Sequence, residues 1–285
     1  MKHRIAILAD VHGNATALQA VIEDSREQAA TEYWFLGDLL LPGPGAANVC
    51  HMLEALKPSV VVRGNWDDCF LEVLDGDVDL ENPTDVFFAK LVEHLLPQLE
   101  VSFIERIRSW PLHQMAERNG IKIGISHNLP EVNDGGALRM SAEQAQFDKL
   151  FDCGDELDLA VYAHVHHQTM RYSSRDQLIL NPGSVGQPYN DWPKLRRDLR
   201  ACYLILEIDE AGIVDVDFRK VDYDAQAEFE VARETELPYL ELYKIKLMTG
   251  KTFTHDGARL SVVSEAEGYA EDVRAMLDRF SRGKL

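Results

Sequence analysis

Five short apolar runs in this chain each stop at a side chain able to hold a cation or move a proton. Residues 4–9 end in Asp10-Val11-His12-Gly13-Asn14, 33–36 in Gly37-Asp38, and 59–62 in Arg63-Gly64-Asn65-Trp66-Asp67. Residues 121–126 end in His127-Asn128, and 159–163 in His164-Val165-His166. Apolar runs of this length read as buried strands. Helical patterns separate the first of them. Asn14 caps a helix with Leu18, Val21 and Ile22 on one face, and 46–56 forms another after the Pro42-Gly43-Pro44-Gly45 loop. Asp10, Asp38 and Asn65 succeed one another at nearly equal steps, which suit strand–helix–strand units returning the chain to the same sheet edge. Ligands of open α/β sheets gather at the carboxyl ends of strands. The spacing therefore predicts an α/β fold whose strand ends converge on one crevice.

The rest of the chain fits around that frame. Residues 77–111 read as a helical insert, with Phe87, Phe88, Leu91, Val92 and Leu95 as a core-packing stripe. Later strands at 168–172, 178–180, 203–208 and 213–218 lie close together and are expected to pair antiparallel. From Asp222 onward the pattern is helical and charged. The expected division is a catalytic domain over 1–221 and a C-terminal helical appendage over 222–285. No run approaches the roughly eighteen apolar residues of a membrane span, and the one at 5–9 is too short for a signal peptide. Cys50, Cys69, Cys153 and Cys202 are scattered without a Cys-x-x-Cys pair. They read as reduced thiols of a cytoplasmic protein, the alternative being two disulfides.

Taken singly, each strand-end residue has an ordinary explanation. An aspartate after a strand caps a helix or fills a turn, Asn65 after Gly64 suits a turn, and a histidine at a strand end can simply be polar. His164 and His166 are stronger, because alternate residues of an extended chain point the same way; His167 then points elsewhere. The joint pattern is what counts. Asp10, His12, Asp38, Asn65, His127, His164 and His166 combine four imidazoles, two carboxylates and one amide. That nitrogen and oxygen set suits Mn, Fe or Zn better than Ca or Mg. Seven ligands exceed one tetrahedral ion and suit two ions sharing a carboxylate, the arrangement that stabilises attacking and leaving oxygens at phosphorus. Composition makes such a centre the obvious candidate for attracting an anionic substrate. With 29 basic and 48 acidic residues the net charge is −19, which argues against nucleic-acid polymers and anionic membranes as partners. Bound metal is then what draws an anion in.

Asp10-x-His12, Gly37-Asp38, Gly64-Asn65, His127 and His164-x-His166, in that order, resemble the calcineurin-like metallophosphoesterases over roughly residues 1–220. The resemblance is nearest to the compact bacterial and archaeal phosphodiesterase group. A narrower similarity, to bacterial asymmetrical diadenosine tetraphosphate hydrolases, rests on Gly64-Asn65-Trp66, Ile125-Ser126-His127, the stretch from Asn181-Pro182-Gly183-Ser184 to Pro188, and 218–224. The resemblance implies two packed mixed β-sheets flanked by helices. It implies that Asp10, His12 and His166 hold one metal, that Asn65, His127 and His164 hold the other, and that Asp38 bridges them. It implies Mn together with Fe, with Zn as the alternative, and in-line attack by a metal-bridging hydroxide. The implied reaction is hydrolysis of diadenosine tetraphosphate to ATP and AMP. The alternatives are a phosphodiesterase of cyclic or other small nucleotides and, from another class, a non-catalytic scaffold of the same fold.

One position departs from the family. Many members carry histidine after the Gly-Asn pair to protonate the leaving oxygen, and here it is Trp66, whose indole N–H is no general acid. A nucleotide leaving from an anhydride needs little protonation, since a phosphate's second pKa is about 6. Trp66 therefore joins Asp38 and Asn65 as a catalytic-site residue that stacks on a base or merely walls the pocket. Arg63 is expected to pair with a carboxylate or meet phosphate, Asn14 to cap its helix or lie near phosphate, and Asp67 and Asp68 to orient a ligand histidine or face water. Tyr189, Asn190 and Trp192 line a nucleotide pocket or pack. The partner expected is a small nucleotide; a homo-oligomer and a docking role for the acidic appendage are left open.

Overall fold

The structure, a computed structural model, describes residues 2–154 and 156–283. The chain opens β1 (His3–Leu8), α1 (Ala15–Glu27), β2 (Glu32–Phe35), α2 (Ala46–Leu56), β3 (Val60–Val61) and α3 (Asn65–Asp75). The insert follows as α4 (Pro83–Leu95) and α5 (Val101–Ser109). Next come β4 (His113–Arg118), β5 (Ile121–Ser126), the short α6 (Gln144–Asp148), β6 (Leu159–Val161), β7 (Gln168–Tyr172), β8 (Leu178–Pro182), β9 (Ala201–Asp209) and β10 (Gly212–Val221). Helices α7 (Ala225–Glu234), α8 (Leu240–Thr249), α9 (Gly257–Glu267) and α10 (Tyr269–Ser281) close the chain. No helix among the described residues is long and apolar enough to cross a membrane.

The strands form two five-stranded mixed sheets, ordered β10-β9-β1-β2-β3 and β4-β5-β6-β8-β7. The period-two alternation of side chains explains why both faces are apolar. On β1, Ile5 and Ile7 point between the sheets while Ala6 and Leu8 face the helices. On β9, Leu204, Leu206 and Ile208 enter the inter-sheet core while Tyr203 and Ile205 join the helical layer. From the other sheet Ile123, Ile125, Leu159, Val161 and Leu180 complete that inter-sheet core. Ala160, Tyr162 and Ile179 pack outward on Phe147 and Leu150. The result is the α/β sandwich with helices on its outer faces.

Local chemistry sets the helix starts. Asn14 Oδ1 accepts the Ala17 N–H at 2.9 Å, Asn82 Oδ1 that of Thr84 at 3.0 Å, and Asp224 Oδ1 that of Ala227 at 2.9 Å. The expected stripe of α4 is buried, and it meets Phe229, Tyr239, Leu242 and Val273 in the same cluster. The C-terminal helices thus share a core with α1 and α4. The link is also polar: buried Glu228 accepts the Thr16 N–H and hydroxyl at 3.0 and 2.6 Å and the Tyr243 hydroxyl at 3.2 Å.

The structure corrects several sequence expectations. Strand β4, unforeseen, pairs antiparallel with β5 across an Asn119-Gly120 turn. The β3 ladder is only two residues long, shorter than the expected 59–62, and α3 begins at Asn65. Strand β8 pairs antiparallel with β7 but parallel with β6. As expected, all four cysteines are free thiols.

Candidate metal centre

The loops after β1, β2, β3, β5 and β6 meet at one end of the two sheets. Backbone hydrogen bonds join the first two: Asp10 N–H to Gly37 O at 3.0 Å, His12 N–H to Asp38 O at 2.9 Å and Gly13 N–H to Leu39 O at 2.8 Å. The segment after β8 ties in the rest. Asn181 donates to Ala163 O at 2.8 Å, just before His164, and the Ser184 hydroxyl and Gly186 N–H donate to Asp10 O at 2.8 and 2.9 Å. Only glycine serves at 186, where a Cβ would lie 1.9 Å from Val11 O. Five of the seven ligand-type residues, Asp10, His12, Asp38, His164 and His166, have φ between 52° and 65°. Such left-handed backbone at non-glycine residues costs on the order of 1–3 kcal/mol each and clusters at functional sites. His164 and His166 therefore do not face the site by extended-chain alternation; a turn aims both.

All seven residues come together. His12 Nε2 lies 3.2 Å from His166 Nε2, and His166 Nε2 lies 3.4 Å from Asp10 Oδ1. Asn65 Oδ1 sits 3.1 Å from His127 Nε2 and 2.8 Å from His164 Nδ1. Asp38 Oδ2 stands between the groups, 3.7 Å from His12 Nε2 and 3.3 Å from His127 Nε2. The ligand atoms of Asp10, His12 and His166, and those of Asp10, Asp38 and His127, each fall within 4.8 Å of one another.

These groups fit metal ions on their own evidence. Each imidazole has one nitrogen on a backbone carbonyl: His12 Nδ1 on Leu41 O at 2.8 Å, His127 Nδ1 on Leu36 O at 2.6 Å, His166 Nδ1 on Gln187 O at 2.6 Å and His164 Nε2 on Gly135 O at 2.9 Å. A carbonyl only accepts, so those nitrogens carry the protons and the other nitrogen of each ring faces the centre. In neutral rings two lone pairs then oppose each other where His12 Nε2 meets His166 Nε2, an arrangement a cation relieves. Asp10 is fully buried, and neither carboxylate oxygen has a hydrogen-bond partner. A buried carboxylate without a donor is costly unless a cation meets it.

Titration follows the same field. Burial lowers the pKa of His12 far below its ordinary value, and burial together with the neighbouring His127 brings His164 down to about 4. Burial also opposes charge on His127, but Asp38 and Asp10 outweigh it and push that ring up to about 10. Asp38 is likewise desolvated, yet His127 and His12 hold its carboxyl well below the usual range. Positive charge is what this cluster of carboxylates draws.

The surrounding residues divide. Asp67 neither orients a histidine nor faces water. It is buried and accepts the N–H groups of Asp38, Leu39 and Gly64 at 2.9, 3.1 and 2.9 Å, clamping two ligand loops. Arg63 pairs with Asp68 at 2.6 Å. Asn14 is the helix cap. Trp66 donates its backbone N–H to Asp38 Oδ1 at 2.8 Å, and its ring stands edge-on to His12 at 5.0 Å and Phe88 at 4.6 Å. Tyr189 bonds Asp191, and Trp192 is exposed.

The profile of the calcineurin-like phosphoesterase superfamily domain matches residues 3–211. The chain belongs to that superfamily. It is 25% identical over 252 residues to an uncharacterised protein of Methanocaldococcus jannaschii, covering 84% of this chain and 95% of that one. A metallophosphoesterase structure from Sphaerobacter thermophilus superposes with a TM-score of 0.64 at 25% identity, over 87% of this chain and all of the other. A symmetrical bis(5'-nucleosyl)-tetraphosphatase of Baumannia cicadellinicola is 26% identical over 142 residues, 48% of this chain and 46% of that enzyme. The chain thus spans about half the length of that relative.

Two features of the site escape sequence reasoning. The carbonyls of Leu36, Leu41, Gly135 and Gln187 that fix the imidazoles carry no residue signature. Lys246, on α8, reaches the cleft beside Trp66 and Gln187. It does so from far beyond the last ligand histidine in the chain, and nothing in the sequence marks it.

Proposed function

We propose that this chain is a dinuclear metallohydrolase of nucleotide phosphoanhydrides, with diadenosine tetraphosphate cleaved asymmetrically to ATP and AMP as its preferred reaction. One observation carries the reading: a buried carboxylate without donors, beside four imidazoles whose carbonyl-held tautomers turn free nitrogens to one centre. Asp10, His12 and His166 would hold one ion, Asn65, His127 and His164 the second, and Asp38 both. Mn together with Fe suits the set, Zn being the alternative. When bound, the pair supplies Lewis acidity and an activated water.

The chain's own residues do the rest. Carbonyls of the strand-end loops lock each imidazole, and Asp67 fixes the Asp38 and Gly64 loops against each other. Trp66 supplies an apolar wall and no proton. That suits a leaving nucleotide, which departs as a stable anion near neutral pH, better than an alkoxide, which needs an acid. The tetraphosphatase similarity supports the dinucleoside polyphosphate class.

The test is a substrate panel on Mn- and Fe-loaded full-length protein, comprising dinucleoside polyphosphates, cyclic nucleotides, aryl mono- and diesters and a phosphopeptide. Chromatography of the products separates ATP plus AMP from two ADP. The reading predicts the first pair, and loss of turnover in Asp38→Ala. Loaded protein inert on the whole panel, or an active Asp38→Ala, overturns it.

A further inference from the structure

Helix α8 brings a cation to the edge of this centre. Lys246 lines two adjoining hollows, and Gln187, Tyr243 and Thr252 line both with it. The wider hollow also has Trp66 in its wall. Two of these neighbours connect it to the ligands: the Trp66 ring packs on His12 at 5.0 Å, and the Gln187 carbonyl holds His166 Nδ1 at 2.6 Å. The hollow therefore borders the metal centre through these two residues.

Two of its polar side chains, Lys246 and Gln187, lack partners among the described residues. The Lys246 side chain makes no ion pair or hydrogen bond among the described residues; its Nζ lies 6.0 Å from the centre of the Tyr243 ring. That is unexpected in a chain with 48 carboxylates against 29 lysines and arginines. Desolvation lowers the pKa of its ammonium, and no carboxylate offsets the effect. Gln187 is 7% exposed, and its amide nitrogen is buried with no acceptor. Elsewhere in native proteins such donors are paired. An ammonium has three donors and no acceptor, so an anion is the ligand that satisfies it.

We propose that Lys246 and Gln187 form a subsite for a phosphate beyond the scissile one, which makes the cleft select phosphate chains over isolated phosphodiesters. The inference rests on the phosphoesterase reading and deepens it. It also gives the C-terminal helices a task. The ligands of the centre and the carbonyls that hold them all precede α8 in the chain, and α8 delivers the selecting charge.

The experiment uses Mn-loaded full-length protein as wild type, Lys246→Gln and Lys246→Arg. Calorimetry measures binding of a methylene-bridged, non-hydrolysable diadenosine tetraphosphate analogue and of AMP. Kinetics give the ratio of kcat/KM for diadenosine tetraphosphate over bis(4-nitrophenyl) phosphate. Lys246→Gln is expected to weaken analogue binding about ten-fold or more, the effect of one charge-assisted contact, and to lower the kinetic ratio by a similar factor. AMP binding should weaken much less, and Lys246→Arg should restore most of the analogue affinity. Equal weakening for analogue and AMP, or no weakening, overturns the subsite. A wild type that hydrolyses the aryl diester but neither binds the analogue nor prefers the tetraphosphate overturns the subsite while leaving the phosphoesterase standing. A wild type inert on both substrates counts against the phosphoesterase, and the binding arm still decides the subsite.

Discussion

Gly64→Ala puts the geometry of the centre to its sharpest test. Gly64 has φ −92° and ψ 174°, which alanine adopts freely, so backbone strain plays no part. The obstacle is contact. A Cβ there would lie 2.1 Å from Asp38 Oδ1, 2.6 Å from Asp38 N and 2.8 Å from Asp38 Cγ. Non-bonded atoms settle near 3.5 Å, so about 1 Å of movement is required. The backbones resist it, because Asp67 Oδ2 accepts the N–H of both Asp38 and Gly64 at 2.9 Å. The 2.6 Å contact with Asp38 N still presses the two loops apart, and the Asp38 carboxylate, the group placed between the two histidine clusters, is displaced with them. Overpacking of this kind costs roughly 1–3 kcal/mol of stability, and a misplaced ligand lowers metal affinity by about 10- to 100-fold.

Thermal denaturation without metal reads the first effect, and Mn titration calorimetry the second. Gly76→Ala supplies the control. Gly76 has φ 84° with open space around it, so alanine there costs about 1–2 kcal/mol in backbone strain and should leave Mn affinity intact. Gly64→Ala should lose Mn affinity, and Gly76→Ala stability alone. Wild-type Mn affinity in a folded Gly64→Ala protein would refute the placement of Asp38 at the centre.

Other perturbations follow from the same contacts. Asp67→Ala strands three N–H groups and should cost on the order of 3 kcal/mol in urea denaturation, with weaker Mn binding. Trp66→Ala should raise KM for a dinucleoside polyphosphate by roughly ten-fold or more, the worth of a stacked base; unchanged KM makes the ring a wall only. Trp66→His should raise alkyl-ester turnover by about 100-fold if a missing acid limits it, and unchanged ester kinetics would discard that explanation. In metal-free protein His127 has its pKa raised to about 10, so its stabilisation is complete below its unfolded value near 6.5 and is lost as pH rises through 10. His164, lowered to about 4, acts oppositely, with stability gained as pH rises from 4 to 6.5. The Tm of chelator-treated protein should therefore fall as pH rises from neutrality toward 10, and His127→Gln should remove that decline.

What is legible in the sequence is whatever local periodicity or a strand terminus encodes. The 46–56 helix and the 121–126 strand have the expected bounds, and the α4 stripe is buried as expected, because apolar spacing and caps are local. The seven ligand-type residues stand out because each ends a buried strand. Strand β4 does not, since its residues are only partly buried or exposed and carry little alternation; the Asn119-Gly120 pair is its one signal. The aiming of His164 and His166 is hidden, because a left-handed φ at histidine leaves no mark in composition. Asp67 reads as a support for a ligand histidine or a residue facing water, whereas its true partners are backbone N–H groups, which sequence does not distinguish. Lys246 reaches the cleft only through the packing of α8 on α7 and on the Phe87 and Tyr239 cluster, a tertiary fact.

The strain and the unpaired groups at the centre have a common resolution. Five ligand-type residues hold left-handed backbone, two imidazole nitrogens face each other, and a buried carboxylate lacks donors. Each is unfavourable alone, and the loops cannot relax, because Asp67, Ser184, Asn181 and the paired backbones fix them from behind. The ligand loops are thus held in place by protein contacts, and metal binding should bring little rearrangement. What it supplies is the missing charge, so metal should raise Tm by closing these deficits without moving the loops. The net charge of −19 then acts as a filter. On the proposed reading, an anion is drawn to the metal site and to Lys246 against the repulsion of the chain as a whole.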